Sequence, residues 1–389
     1  MTRCPVCGSS DLGSVIQLSD VPVFCNVLYD TREEALAAPT GDIDLVACRR
    51  CDMVFNASFD VSLVVYEGSY ENSLHFSPTF REYADDLAHH LADRYELNGG
   101  LVLEIGCGKG EFLEHLCEVA GCRGLGFDPS FSGEVTHPDV EIVADELPER
   151  LDSSPDLVIF RHVLEHLSQP LEFLGALERA LEGRETAIYC EVPSGEFVLG
   201  NPSLWDVIYE HVGYFTETSL RNVFTRAGFR TERIVNAFGG QFLAIEARNE
   251  QAASDNGGVD EYSSLLGTGN GYGEAAPRTL KEWSSHLARW SDDNVRVAIW
   301  GIGSKGVTFL NVVEGADGAI DVLVDINPRK HGKYVPRVAR AIDSHRVLER
   351  KMPDTVLIMN PIYEREIRDT IASISLETDQ PMPQVITVI

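Results

Sequence analysis

The chain has 389 residues, room for two or three domains, and its 44% hydrophobic and 24% charged residues exclude wholesale disorder. Lys plus Arg total 32 against 61 Asp plus Glu, a formal net charge of −29 that repels phosphate backbones and anionic membranes, so neither nucleic acid nor a membrane is an expected partner. Only six of the basic residues are Lys, and acid excess with scarce Lys predicts a halophilic surface whose self-repulsion is screened by salt.

The opening MTRCPVCGSS has no apolar h-region and no run reaches bilayer length, so a cytoplasmic chain is expected. Its nine Cys are then thiols or metal ligands rather than a disulfide framework. Within residues 1–60, Cys4-x-x-Cys7 and Cys48-x-x-Cys51 are two chelating pairs, with Pro5 and Gly8 suited to a knuckle turn. Two such knuckles close a tetrahedral S₄ site suited to a structural Zn²⁺, with no position left open for substrate.

Residues 61–248 begin with a helical lead-in (FREYADDLAHHLADRYEL), then alternate strands and helices: LVLEI, a glycine turn, EFLEHLCEVA, GLGF, VEIV, PDLVIFR, LEFLGALERAL, TAIYCEVP. That alternation predicts an α/β fold, a doubly wound parallel sheet covered on both faces, and a later helix is followed by a pair of strands. The turn after the first strand reads Glu104-x-Gly106-x-Gly108-x-Gly110. The acid before glycines at every second position is not the dinucleotide spacing G-x-G-x-x-G. It resembles motif I of the class I S-adenosylmethionine-dependent methyltransferases. The resemblance implies that Asp128 meets the cofactor's ribose, that Asp145 meets its adenine, and that residues near Arg161 and His162 border it.

Two Glu-His pairs follow. Glu165-His166 lies after the fourth strand, where ligands of open α/β sheets gather, and Glu210-His211 lies in an aromatic stretch with Trp205, Tyr209, Tyr214 and Phe215. A His beside a carboxylate is a candidate general base.

Residues 249–278, rich in Gly, Ser, Asn and Ala, read as a linker. In 279–389 a helix precedes a second strand–turn–helix unit, Gly301-x-Gly303-x-x-Gly306, trailed by Asp325. That is the dinucleotide fingerprint of a Rossmann-like domain, and alone it argues for an NAD-linked oxidoreductase. Lys305, Arg329, Lys330 and Lys333 gather around it, which suits a pyrophosphate as well as NAD, or simply pairs with nearby acids.

Taken whole, the pattern resembles the three-domain sugar C-methyltransferases, which act on nucleotide-linked deoxysugars. The resemblance implies that His211 is the base that deprotonates the carbon beside a keto group, with Glu210 its adjacent carboxylate, His166 a second active-site histidine and Tyr66 a residue reaching the sugar. The family's tyrosine two residues before the glutamate is Ile208 here, with Tyr209 one place later. O-methylation of a related small molecule would use the same base.

Overall fold

The computed structural model describes residues 1–64, 70–181, 184–201, 203–249 and 265–388, leaving aside the side chains of 265–270. Tyr66 lies outside the described residues. No described helix is long and apolar enough to cross a membrane.

The N-terminal strands β1 (Leu12–Pro22), β2 (Thr40–Cys48) and β3 (Val54–Asn56) pair antiparallel, with the short α1 (Arg32–Leu36) between the first two. Each cysteine pair sits on a turn beside this sheet. The residue after each pair, Gly8 or Asp52, has positive φ (72° and 57°), which closes the knuckle.

The central domain starts with α2 (Pro78–Arg94), then alternates β4 (Leu101–Ile105), α3 (Glu111–Ala120), β5 (Arg123–Phe127), β6 (Val140–Val143), β7 (Leu157–Arg161), α4 (Pro170–Ala180), β8 (Thr186–Pro193) and α5 (Gly195–Gly200). The next strand, β9 (Gly213–Tyr214), leaves the domain to pair with β3. After α6 (Glu217–Arg226), β10 (Phe229–Ala237) and β11 (Phe242–Asn249) complete a sheet of order β10-β11-β8-β7-β4-β5-β6. Strands β4 to β8 are parallel, and β10 and β11 are antiparallel. Alternate residues of β7 serve opposite layers: Val158 and Phe160 face α4 and α6, Leu157 and Ile159 face α2 and α3. This is the expected methyltransferase-type doubly wound sheet.

A 28-residue helix, α7 (Leu265–Asp292), enters the third part. It begins inside the stretch 249–278 read as linker, so residues from 265 on are helical. Low helix propensity is overridden by packing. Tyr272 is buried and donates to the Ser203 carbonyl at 2.9 Å, and Gly273 lies so close to β1 that a Cβ would fall 2.3 Å from the Val15 carbonyl oxygen. Then β12 (Val297–Trp300), α8 (Ser304–Val312), α9 (Ala316–Ala319), β13 (Val322–Asp325), β14 (Asp343–Ser344), β15 (Thr355–Ile358), α10 (Glu364–Thr378) and β16 (Gln384–Thr387) build a parallel sheet of order β14-β13-β12-β15-β16.

Residues 204–214 tie the three parts together. Trp205 packs on Phe309 of α8 (ring centroids 5.3 Å apart), the Tyr209 ring lies over Gly41 and Phe59 of the N-terminal part, and Tyr214 joins its sheet. His211 is carried at this junction.

Candidate active site

The sheet brings Glu104, the glycine turn, Asp128, Asp145 and His162 to one edge, at or just past the carboxyl ends of β4, β5, β6 and β7. Gly106 and Gly108 have φ of 68° and 57°, a region that L side chains seldom adopt. A Cβ on Gly106 would lie 2.4 Å from Val163, whereas one on Gly108 would meet nothing within 4 Å. The turn is thus tight at its base and open at its tip. Asp128 spans the tip: its carboxylate accepts from the Gly108 amide at 2.7 Å and from the Ser130 amide and hydroxyl at 2.8 and 2.7 Å. Asp145 is exposed at the end of β6, with one oxygen on the Glu146 amide.

Glu104 is 3% exposed, and its Oε2 has no hydrogen-bond partner among the described residues. Burial, partly countered by Arg161, pushes its carboxyl up to about 7. The Arg161 guanidinium lies over the Phe112 ring with its Nε 3.8 Å from Glu104, and its Nε and Nη1 are likewise buried without a hydrogen bond among the described residues. A buried ion pair whose hydrogen-bonding atoms are unsatisfied is costly unless a ligand or water meets them. The ammonium and carboxylate of S-adenosylmethionine's amino-acid end are of the right signs, and the open face at Gly108 leaves room for the adenosyl group. The residues present therefore fit this cofactor.

Next to this edge lies a cavity of about 280 Å³. One wall carries His162, Glu165, His166 and His211. The opposite wall comes from the third part: Trp300, Gly301, Gly303, Lys305 and Lys330. The polar atoms of Glu165, His166 and His211 lie within 4.8 Å of one another, and the two histidine rings meet edge to face at 5.0 Å. The Nδ1 of His166 lies 3.0 Å from the Glu210 carbonyl, an acceptor, so Nδ1 donates and Nε2 faces Glu165, 4.0 Å away. Burial pushes His211 down to about 3, helped by His166, so its ring is neutral with a free lone pair. Burial would raise Glu165, but His162, 3.4 Å away, and the other histidines outweigh it and hold the carboxyl down.

The expected site residues are not all gathered here. The Glu210 carboxylate accepts from the Cys25 amide at 2.8 Å, and burial pushes it up to about 7. It turns to Cys25 rather than to His211, and its backbone carbonyl serves the histidine pair. The carboxylate facing both histidines is Glu165, on the other Glu-His pair. The Tyr209 hydroxyl accepts from the Asp60 amide at 2.9 Å, in the loop after β3, and this ring does not line the cavity, whereas Ile208 does. Tyr70 and Asn72 also line it. Their sequence signal was weak: they lie outside every motif. The signal for His162 and Glu165 was stronger, because His162 directly follows a parallel strand and Glu165 lies three residues further on.

Around the second turn the basic residues are largely paired. The Lys330 Nζ donates to the Ile302 carbonyl at 3.0 Å and lies 3.4 Å from the Asp325 carboxylate. Lys305 pairs with Asp206, Lys333 with Asp30, and Arg329 with Glu71 and Glu111 at 3.5 Å. Lys330 therefore engages the acid that a dinucleotide site offers to a ribose.

Cys4 and Cys51 place their sulfurs 3.5 Å apart, as do Cys7 and Cys48, and all four Sγ atoms lie within 4.8 Å of one another. Four thiolates about 2.3 Å from a shared centre would sit about 3.8 Å apart, so the cluster fits a tetrahedral zinc ion.

Residues 76–234 match the model of a family described as methyltransferase domain, and residues 258–380 match that of a C-methyltransferase C-terminal domain. Comparison with curated proteins gave no match. Among solved structures, the chain is similar to a SAM-dependent methyltransferase from Aquifex aeolicus, at 19% identity over 45% of this chain and 95% of that one, TM-score 0.35. It is similar to magnesium protoporphyrin IX methyltransferase from Synechocystis PCC 6803 with bound SAH, at 19% identity over 44% and 84%, TM-score 0.36. It is also similar to an S-adenosylmethionine-dependent methyltransferase from Mesorhizobium loti, at 17% identity over 42% and 99%, TM-score 0.34.

Proposed function

We propose that this S-adenosylmethionine-dependent methyltransferase C-methylates a nucleotide-linked keto-deoxysugar, with His211 as the general base. The observation that carries the reading is the cavity whose one wall holds His166, His211 and Glu165 and whose other wall holds the second glycine turn with Lys305 and Lys330. An acceptor filling it is two-ended: a reactive group at the histidines and a polar, anionic end at the turn. A sugar joined to a nucleoside diphosphate has that shape and charge. The match of the third part to a C-methyltransferase C-terminal domain supports transfer to carbon.

S-adenosylmethionine, when bound at Glu104, the glycine turn and Asp128, supplies an electrophilic methyl group and leaves as a neutral thioether. The chain's own residues handle the proton. His211 takes it from the carbon beside the keto group, and that carbon's electron pair forms the new bond to the methyl. Glu165 lies close enough to balance the imidazolium that results. His166, held on the Glu210 carbonyl, keeps its ring against His211. The cysteine cluster, filled by zinc, anchors the small sheet to which β9 pairs, two residues beyond His211. The acidic surface suits a halophilic, cytoplasmic setting in which salt screens its charge.

The test is incubation of the enzyme and labelled S-adenosylmethionine with a panel of nucleotide-linked keto sugars, read by mass spectrometry and by NMR of the new carbon–methyl bond. The reading predicts a C-methyl product with wild type and at least about a hundredfold less with His211→Ala. A methyl on oxygen, or wild-type turnover by that variant, overturns it.

A further inference from the structure

His162 is the residue after β7, and its backbone is left-handed, with φ of 55°. Its amide donates to the Glu191 carbonyl at 2.8 Å, which pins it to β8. The strained turn puts the imidazole between two carboxylates. Nδ1 lies 3.4 Å from Glu165 Oε1 and Nε2 lies 3.3 Å from Glu191 Oε1. Glu165 is 1% exposed and Glu191 is fully buried. The Phe242 ring packs edge to face on the imidazole at 4.5 Å, and the rest of the imidazole borders the cavity. Glu191 is braced in turn by the Tyr83 hydroxyl and by the Tyr189 hydroxyl at 3.0 Å.

Charges therefore alternate along a row whose carboxylates are buried and whose histidines border the cavity: Glu191, His162, Glu165, then the neutral pair His166 and His211. We propose that His162 is a positioning residue that acts through Glu165, fixing this carboxylate as the counter-ion for the proton that His211 collects. The inference rests on His211 being the proton acceptor. Without His162, burial would favour a neutral Glu165 carboxyl, and a protonated His211 would stand uncompensated in the cavity wall. Burial by itself would lower His162, but Glu165 and Glu191 together hold it up at about 9. The other groups facing the row are Arg161, Tyr83 and Tyr189 at Glu191, Cys190 at Glu165, and Lys305 at His211. Arg161 favours an ionised Glu191, and Lys305 opposes a second positive charge on His211.

The full-length protein, labelled with ¹³C in histidine rings and glutamate carboxyls and carrying S-adenosylhomocysteine, would be titrated by NMR from roughly pH 5 to 9. Signals are assigned by single substitutions. In wild type, His162 should remain cationic past neutrality and Glu165 should stay ionised throughout. In His162→Asn, a residue type that tolerates the left-handed backbone, Glu165 should begin to titrate within that range. Glu191→Gln is the second probe and should lower the His162 titration by about one unit or more. A neutral His162 at pH 7, or a Glu165 signal indifferent to His162→Asn, overturns the proposal. With the methyl acceptor in hand, His162→Asn should lower kcat about tenfold or more with little change in KM, and an unchanged kcat would also overturn it. If the titrations behave as stated while His211→Ala retains full turnover, the row stands and the base has been misassigned.

Discussion

Two strand–glycine-turn–helix units in this chain begin alike and end differently. Both follow a buried parallel strand, and both face an aspartate at the end of the next strand, Asp128 in one and Asp325 in the other. In the first, the carboxylate spans the open tip of the turn through the Gly108 amide. In the second, the carboxylate is met by the Lys330 ammonium, which also holds the Ile302 carbonyl of the turn itself. Gly306 there is packed so tightly that a Cβ would lie 2.4 Å from the Gly301 carbonyl oxygen. The difference teaches that glycine spacing builds a bend, whereas a cation from elsewhere in the chain decides whether the acid facing that bend is left free to meet a ribose.

The sharpest way to break this comparison is to remove the cation. Lys330→Met leaves Asp325 buried without its partner and should destabilise the protein by about 3–5 kcal/mol in urea unfolding; a loss well under about 1 kcal/mol would mean that the lysine does not hold this acid. The first turn carries the opposite burden, a buried acid awaiting a partner. Because Glu104 is raised from 4.5 to about 7, its contribution to stability is fully present below 4.5 and is lost as pH rises through 7. Wild type without cofactor should therefore lose about 3 kcal/mol more than Glu104→Gln between acid and pH 8. Parallel unfolding curves of the two proteins across pH would contradict the burial of an orphan carboxyl.

A smaller effect separates the two aspartates. Asp128→Ala should weaken S-adenosylhomocysteine binding about a hundredfold by calorimetry, and Asp325→Ala should leave it within about twofold. Equal losses would erase the distinction between the turns. Smallest is the pair of glycines. Gly306→Ala should cost about 2 kcal/mol through overpacking, against about 1 kcal/mol for Gly108→Ala, whose penalty is the left-handed backbone alone. The reverse order would show that the first turn is the closed one.

Much of the fold was legible because it is local. The alternation of LVLEI, GLGF, VEIV, LVIFR and TAIYCEVP with amphipathic runs specifies a parallel sheet through periodicity alone, and the two CxxC pairs announce one four-sulfur cluster. The helix from Leu265 was not legible, because its Gly-rich start is poor helix former and is held by contacts with Val15 and Ser203, far away in the chain. The site divides the same way. Glu104, Gly108 and Asp128 follow from one motif, and His166 and His211 do converge. The assignment of Glu210 as the partner of His211 rested on adjacency, yet neighbouring side chains diverge, and its carboxylate turns to Cys25 instead. Glu165 takes the place facing His211 because a different loop delivers it. Tyr209 likewise packs against the N-terminal part, a contact invisible without knowing that β9 leaves the central domain.

The most direct test is a crystal structure of the protein grown with both S-adenosylhomocysteine and NADH. The account predicts adenosyl density against Gly108, ribose hydroxyls on Asp128, the amino-acid end between Glu104 and Arg161, and no NADH ribose on Asp325. An NADH ribose on Asp325, or an Asp128 that never meets the ligand, would contradict it.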